Sequence, residues 1–204
     1  MLIADDHRLV VEGLRRLLED EYDVVATVDN GRALLAAAER LKPDVILVDV
    51  SMPLLNGIDA CARLRVLVPS SRLVVLTMHA DRSYAAEAFR AGAAGYVLKS
   101  SATLELVQAI RSVLRGRRYV ARALPASVLV GARLAGEARP GHLTARQREV
   151  LQLVAEGRAA KQIAAMLRIS VKTVEFHKAR LMDQLDLRST AELTRYAMQH
   201  GIVA

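Results

Sequence analysis

Five short apolar runs, Leu2–Ala4, Val24–Val28, Val45–Val48, Leu73–Thr77 and Tyr96–Leu98, recur through the first half of the chain, each followed by a segment of helical periodicity. The amphipathic segments lie near 8–19, 31–41, 57–67, 83–91 and 102–115. Runs that are apolar without polar alternation read as strands buried on both faces. Strands alternating with helices are joined by crossovers, and the arrangement that covers both faces is a parallel sheet between two helical layers. An α/β doubly wound, five-stranded parallel sheet is therefore expected.

That rhythm stops after Arg118. Residues 117–141 hold Pro125, Gly131, Gly136, Pro140 and Gly141 and read as a linker, with a short helical piece around 125–134. Four helices are expected beyond it, over Thr144–Glu156, Ala159–Leu167, Val171–Leu185 and Ala191–His200. Thr144 with Gln147 forms a capping-box pattern at the start of the first, and Gly157 suits its end. At 204 residues the chain can support two cores. The expected division is 1–116, a linker at 117–141, and a small all-α domain at 142–204.

Charge separates the two halves further. Residues 139–204 carry 11 Lys and Arg against 6 Asp and Glu, whereas residues 1–118 carry 16 against 15. Most of the net +7 therefore sits in the helical part, as in a nucleic-acid contact surface. No apolar run approaches the roughly 20 residues of a membrane span, and no membrane partner is expected. No basic stretch leads into an apolar core with a cleavage site, so no secretory signal is read. Cys61 is the single cysteine. It permits no internal disulfide and suits a reducing cytoplasm, where the protein is expected to reside.

In a doubly wound sheet, functional groups gather at the carboxyl ends of the strands. Those positions hold Asp5 and Asp6 after the first strand, Asp49 after the third, Thr77 at the end of the fourth and Lys99 after the fifth. Converging carboxylates repel one another unless a cation sits among them, and an oxygen-only set suits Mg²⁺. A lysine there can neutralise a transferred phosphoryl group, and a threonine hydroxyl can hydrogen-bond to it. His7 is read as beginning the first helix, without a catalytic role.

Ala4-Asp5-Asp6-His7, Val48-Asp49-Val50-Ser51-Met52-Pro53 with Gly57, Leu76-Thr77 and Tyr96-Val97-Leu98-Lys99 together resemble the receiver domain of bacterial response regulators, which is flavodoxin-like. The resemblance spans residues 1–115. It implies that Asp49 is the phosphoacceptor, attacking the phosphohistidine of a partner sensor histidine kinase. It also implies that Asp5, Asp6, Asp49 and the Ser51 backbone carbonyl hold Mg²⁺, and that Thr77 and Lys99 hold the phosphoryl oxygens. Thr77 and Tyr96 are the implied switch pair. Relatives usually carry a few more residues ahead of the first strand, so either that strand is short or the natural chain starts further upstream.

In the second half, Ile163, Ala164 and Leu167 share an apolar face. The turn Arg168-Ile169-Ser170 leads to a second helix capped by Ser170, in which Val174, Leu181 and Leu185 face inward. Two short helices joined by a tight turn, the second rich in polar side chains, fit a helix-turn-helix. The ordered motifs Leu143-Thr144-Ala145-Arg146-Gln147-Arg148-Glu149-Val150-Leu151, Ile163-Ala164 and Thr173-Val174-Glu175-Phe176-His177 resemble the LuxR-type domain of NarL/FixJ response regulators over 142–201. The resemblance places the recognition helix at about 171–185. On it, Lys172, Thr173, Lys178 and Arg180 are candidates for phosphate contacts in double-stranded DNA, and Glu175 and Phe176 for base contacts. His177 is read as supporting the helix pair. In the final helix, Leu193, Tyr196 and Ala197 are candidates for a homodimer contact, as the resemblance implies for the active form.

The expected function is a two-component regulator whose phosphorylation controls dimerisation and DNA binding. The alternative is a phosphorylation-independent, constitutively dimeric regulator with a vestigial receiver. An enzyme is not expected, beyond slow self-dephosphorylation, because Ser51 stands where a haloacid-dehalogenase-like phosphatase needs a second Asp.

Overall fold

A computed structural model describes residues 1–78, 80–128 and 143–203. The chain divides into two compact units, one carrying the sheet and the other the last four helices.

In the first unit, the strands are β1 (Leu2–Ala4), β2 (Ala26–Val28), β3 (Val45–Asp49), β4 (Arg72–Thr77), β5 (Gly95–Leu98) and β6 (Tyr119–Val120). The helices are α1 (Arg8–Leu18), α2 (Gly31–Leu41), α3 (Gly57–Leu67), α4 (Arg82–Ala91) and α5 (Ala102–Leu114). All strands are parallel, in the order β2-β1-β3-β4-β5-β6. β3 and β5 are buried throughout, as their unbroken apolar runs require. Ile3, Leu47, Val74, Leu76 and Val97 pack with Leu14 and Leu18 of α1 and Leu106, Ile110 and Val113 of α5. Ile46, Val48, Val75 and Tyr96, the alternate positions along the same strands, are also fully buried. The short β1 is not marginal. It pairs with both β2 and β3, and the terminal ammonium of Met1 donates to the Asp23 carbonyl at 2.7 Å.

Among the described residues the sheet has six strands where five were expected. Residues 119–120 fall in the stretch read as linker, because two apolar residues after Arg117-Arg118 give too short a run to register as a strand. Pairing on the open edge of β5 supplies what the run lacks: Tyr119 N–H donates to Ala94 O at 3.0 Å and Ala121 N–H to Tyr96 O at 2.8 Å. Glu105 of α5, 5 % exposed, holds this strand from the side. Its Oε2 accepts the Tyr119 hydroxyl at 2.9 Å and the Arg122 N–H at 3.1 Å. Glu105→Ala removes both partners and, at about 1–3 kcal/mol for such unpaired groups, loosens β6 more than the rest. Hydrogen exchange at Tyr119 and Ala121 should accelerate while the β3 amides stay protected; uniform acceleration would contradict a local role. The helical piece expected at 125–134 lies largely outside the described residues.

The second unit comprises α6 (Ala145–Ala155), α7 (Ala160–Leu167), α8 (Val171–Gln184) and α9 (Thr190–Gln199). Thr144 and Gln147 form the expected capping box, and Ser170 caps α8 by accepting from Thr173 N. Gly157 follows α6 at φ +76°. The core gathers Val150, Leu151, Leu153, Ile163, Leu167, Val174, Leu181, Leu193 and Ala197. Leu193 and Ala197 are both 0 % exposed. They are committed to this core and unavailable for a dimer contact, because burying the inner face of α9 is what holds it to α6. Tyr196 is half-buried and stacks on His200. The exposed residues of α9 include Ala191, Arg195 and Met198.

Candidate functional site

The strand order reverses between β1 and β3, so the connections after these strands leave a crevice at their carboxyl ends. Asp5 and Asp49 emerge there, 3 % and 2 % exposed, with the half-buried Asp6 beside them. Lys99, at the end of β5, reaches across with Nζ 2.8 Å from Asp5 Oδ2 and 3.0 Å from Asp49 Oδ2. One ligand atom from each of Asp5, Asp6, His7 and Asp49 falls within 4.8 Å of the others.

Charge in this crevice is unevenly balanced. Burial pushes the Asp49 carboxyl above its ordinary value; Lys99 pulls it down, while Asp5 and Asp6 push it up again. Burial works against the charge on Lys99, but the Asp5 and Asp49 carboxylates outweigh it and raise its pKa. Asp5 Oδ2 and Asp49 Oδ2 divide one Lys99 ammonium between them and Asp6 Oδ1 faces His7 Nδ1, so these three buried oxygens keep lone pairs to spare. Buried acceptors left in this state are costly unless a cation uses their lone pairs. The residues present therefore fit a divalent ion bound by oxygen.

Thr77 ends β4 and is 1 % exposed. Tyr96 lies opposite Val75, two residues before Thr77 and on the same face, and shares a hydrogen bond with the Thr77 side chain. Its ring is fully buried, 6.5 Å from Phe89, and burial raises its hydroxyl pKa. It already occupies the interior. Ser51 is half-buried two residues past Asp49.

Two features of the crevice escaped sequence reasoning. His7 occupies the N-cap position of α1, as expected, but makes no cap; its Nδ1 instead meets Asp6 Oδ1 at 2.9 Å and Asp5 Oδ1 at 3.2 Å. Its adjacency to Asp5-Asp6 was the available signal. Gly57 is the first residue of α3, as the helical segment expected at 57–67 implies, but its packing was not foreseen. A Cβ there would stand 2.0 Å from the Asp49 carbonyl oxygen. The helix start is laid directly on the backbone that carries Asp49, with Gly57 N–H donating to Val50 O at 2.8 Å.

The second candidate surface is α8. Lys172, Glu175, Phe176, Ala179 and Arg180 are exposed, and their spacing puts them on one face. Phe176 is 56 % exposed, and the Arg180 guanidinium lies 5.7 Å from its ring centre. Thr173 is half-buried, its hydroxyl 2.8 Å from that of Ser170 and so engaged at the helix start. Lys178 and His177 are half-buried on the flank of α8, beside the buried Val174 and Leu181. The motif before α8 braces it. Gln147 Nε2 donates to Gln184 Oε1 at 2.9 Å, and Arg146, paired with the buried Glu149, donates to Leu167 O at 2.8 Å at the end of α7.

Comparison with known proteins bears on both surfaces. Residues 1–111 match the response regulator receiver domain, and residues 141–197 match the bacterial regulatory proteins of the luxR family. The chain is 39% identical to the transcriptional regulatory protein MctR of Rhizobium johnstonii, over 100% of its own length and 95% of the relative's. It is 36% identical to the oxygen regulatory protein NreC of Staphylococcus aureus, over 100% and 98%. Among solved structures, RcsB of Salmonella typhimurium is similar at a TM-score of 0.68 and 29% identity, covering 97% of this chain and 96% of that one. RcsB bound to promoter rprA in the presence of the phosphomimetic BeF3⁻ is similar at a TM-score of 0.65 and 30% identity, covering 96% of each.

Proposed function

The chain belongs to the two-component response regulators that join a receiver domain to a LuxR-type DNA-binding domain, and on that footing we propose that phosphorylation at Asp49 controls its binding to DNA. The carrying observation is the convergence of Asp5, Asp6, Asp49 and Lys99 in one buried crevice. A sensor histidine kinase is the donor. An Asp49 oxygen attacks the phosphorus of its phosphohistidine, the P–N bond breaks, and the departing imidazole takes up a proton. Asp5, Asp6, Asp49 and the Ser51 carbonyl would hold Mg²⁺, which would offset charge on the phosphoryl oxygens when bound. Lys99, already 3.0 Å from Asp49, pairs with one of those oxygens. Thr77 exchanges its bond to Tyr96 for another, and the freed tyrosine hydroxyl alters the β4–β5 face.

The receiver comprises 1–116, a linker 117–141, and the DNA-binding domain 142–204, in a cytoplasmic protein that is a homodimer when active. A dimer suits paired half-sites. Lys172 and Arg180 lie on phosphates with Thr173 and Lys178 at their flank, while Glu175 and Phe176 meet base edges.

The test is retention of randomised duplex DNA by wild type and Asp49→Ala, each with and without a small phosphodonor and Mg²⁺. The donor should increase binding by wild type alone. Equal binding in all four conditions would establish the phosphorylation-independent reading instead. On a selected site, Lys172→Ala should weaken binding to every sequence and reduce the salt slope by about one unit, whereas Phe176→Ala should cost about 1–3 kcal/mol at particular base pairs. A Lys172 variant with an unchanged salt slope would remove that residue from the phosphate contacts.

A further inference from the structure

Of the two phenylalanines in the chain, Phe89 is 3 % exposed, whereas Phe176 on α8 is 56 % exposed. Phe176 is nevertheless held in place. The His177 ring packs against it in a T-shaped contact with centroids 5.9 Å apart, and the Arg180 guanidinium lies 5.7 Å from its centre. Ala179, exposed three residues on, is too small to cover the rest of the ring. Lys172, Phe176 and Arg180 follow one another at intervals of four residues, so they form one stripe along the exposed face of α8. At about 1.5 Å of rise per residue, the two cations stand roughly 12 Å apart along the axis with the ring midway. The major groove of B-DNA is about 12 Å wide. The stripe therefore suits a groove crossed from wall to wall, with the cations at the phosphates and the ring over the base edges.

Building on the reading that α8 meets base edges, we infer that Phe176 reads the C5-methyl group of a thymine and so selects a T·A pair at one position of each half-site. A phenyl ring carries neither a hydrogen-bond donor nor an acceptor. Set against the polar edge of guanine, adenine or cytosine, it would displace water and leave the base groups without partners, which is costly. Thymine is the base that presents an apolar group in the major groove. There the ring and the methyl withdraw each other from water. Arg180 and His177 already restrict the ring before DNA arrives, so less side-chain freedom is lost on binding.

The test uses a duplex selected by the full-length wild type from a random pool, resynthesised with one thymine at a time replaced by deoxyuridine. Deoxyuridine keeps the pairing and every polar group and lacks only the methyl. Gel-shift titrations compare wild type, Phe176→Ala, Phe176→Leu and Lys172→Ala. At one position per half-site, wild type should bind the deoxyuridine duplex about fourfold more weakly, the worth of one buried methyl-sized group. Phe176→Ala should bind the two duplexes equally there, and Phe176→Leu, still apolar, should retain part of the preference. Lys172→Ala should bind both more weakly and keep the preference whole. A wild type indifferent to deoxyuridine at every position, or an undiminished preference in Phe176→Ala, would overturn the inference. Those results leave DNA contact by α8 standing. Failure of wild type to retain any duplex at low salt would overturn that reading as well.

Discussion

Asp49→Asn will abolish phosphoryl uptake from a small phosphodonor and, with divalent cations removed, will make the protein more stable at neutral pH. Loss of uptake follows from the nucleophile: a neutral amide cannot form the acyl phosphate, and the carboxylates of Asp5 and Asp6 cannot stand in because they issue from a different strand. The gain in stability follows from burial. A charged Asp49 is held at 2 % exposure near Asp5 and Asp6, and Lys99 is shared with Asp5. Its pKa is raised, so the folded state resists the charged form. A raised carboxyl pKa destabilises the fold above the folded-state value, and the penalty fades as pH falls toward the ordinary 3.8. The advantage of the Asn variant should therefore shrink on acidification. A saturating divalent cation reverses the order. At 100 times its Kd a ligand stabilises by about 2.7 kcal/mol, and the variant, short of one ligand, forgoes most of that. Intact-mass analysis and urea unfolding in EDTA and in Mg²⁺ decide it. Phosphoryl uptake by the variant would move the acceptor away from Asp49.

Gly57→Ala is expected to damage both stability and the site. Its methyl would meet the Asp49 carbonyl oxygen at 2.0 Å and the carbonyl carbon at 2.8 Å, with Val48 Cγ1 at 3.0 Å. The first two contacts are backbone, so no rotamer change relieves them. Either α3 lifts from the sheet, breaking the Gly57–Val50 hydrogen bond, or β3 shifts and carries Asp49 with it. Overpacking of this kind costs about 1–3 kcal/mol and occasionally more. Urea unfolding should show the loss, and phosphoryl uptake should slow along with it. Gly13 is the internal control: it lies in α1 with open space around its ideal Cβ, so Gly13→Ala should be neutral or mildly stabilising. Equal behaviour of the two variants would mean that the close approach at Asp49 does not constrain the fold.

The acidic site was legible because its members are tied to strand ends. A strand buried on both faces is an unbroken apolar run, and in a parallel sheet every strand delivers its last residue to the same edge. Asp5, Asp49, Thr77 and Lys99 could thus be grouped without coordinates. The starts of α6 and α8 were legible for a related reason: Thr144, Gln147 and Ser170 are local capping signals whose partners lie three residues away. His7 was harder, since a ring next to two carboxylates can point either toward them or into water. Tyr96 presented the same ambiguity, and only its contacts with Phe89 and Thr77 show the ring turned inward. In α9, Leu193 and Ala197 fit an inward face and an outward one equally well until α6 is in place to cover them.

By itself, the sequence determined the two fold classes, the parallel sheet, the strand-end acidic set and the helix starts, all of which depend on periodicity or on neighbours a few residues apart. Tertiary structure decided what depends on residues distant in the chain. It added β6, whose two residues become a strand only against the free edge of β5 and under Glu105. It made a glycine obligatory at the start of α3, because the carbonyl of Asp49 passes beneath it. It also brought His7 into contact with the carboxylates that hold the charge of the site. These are matters of which atoms meet, and a spacing pattern along one strand or one helix does not contain them.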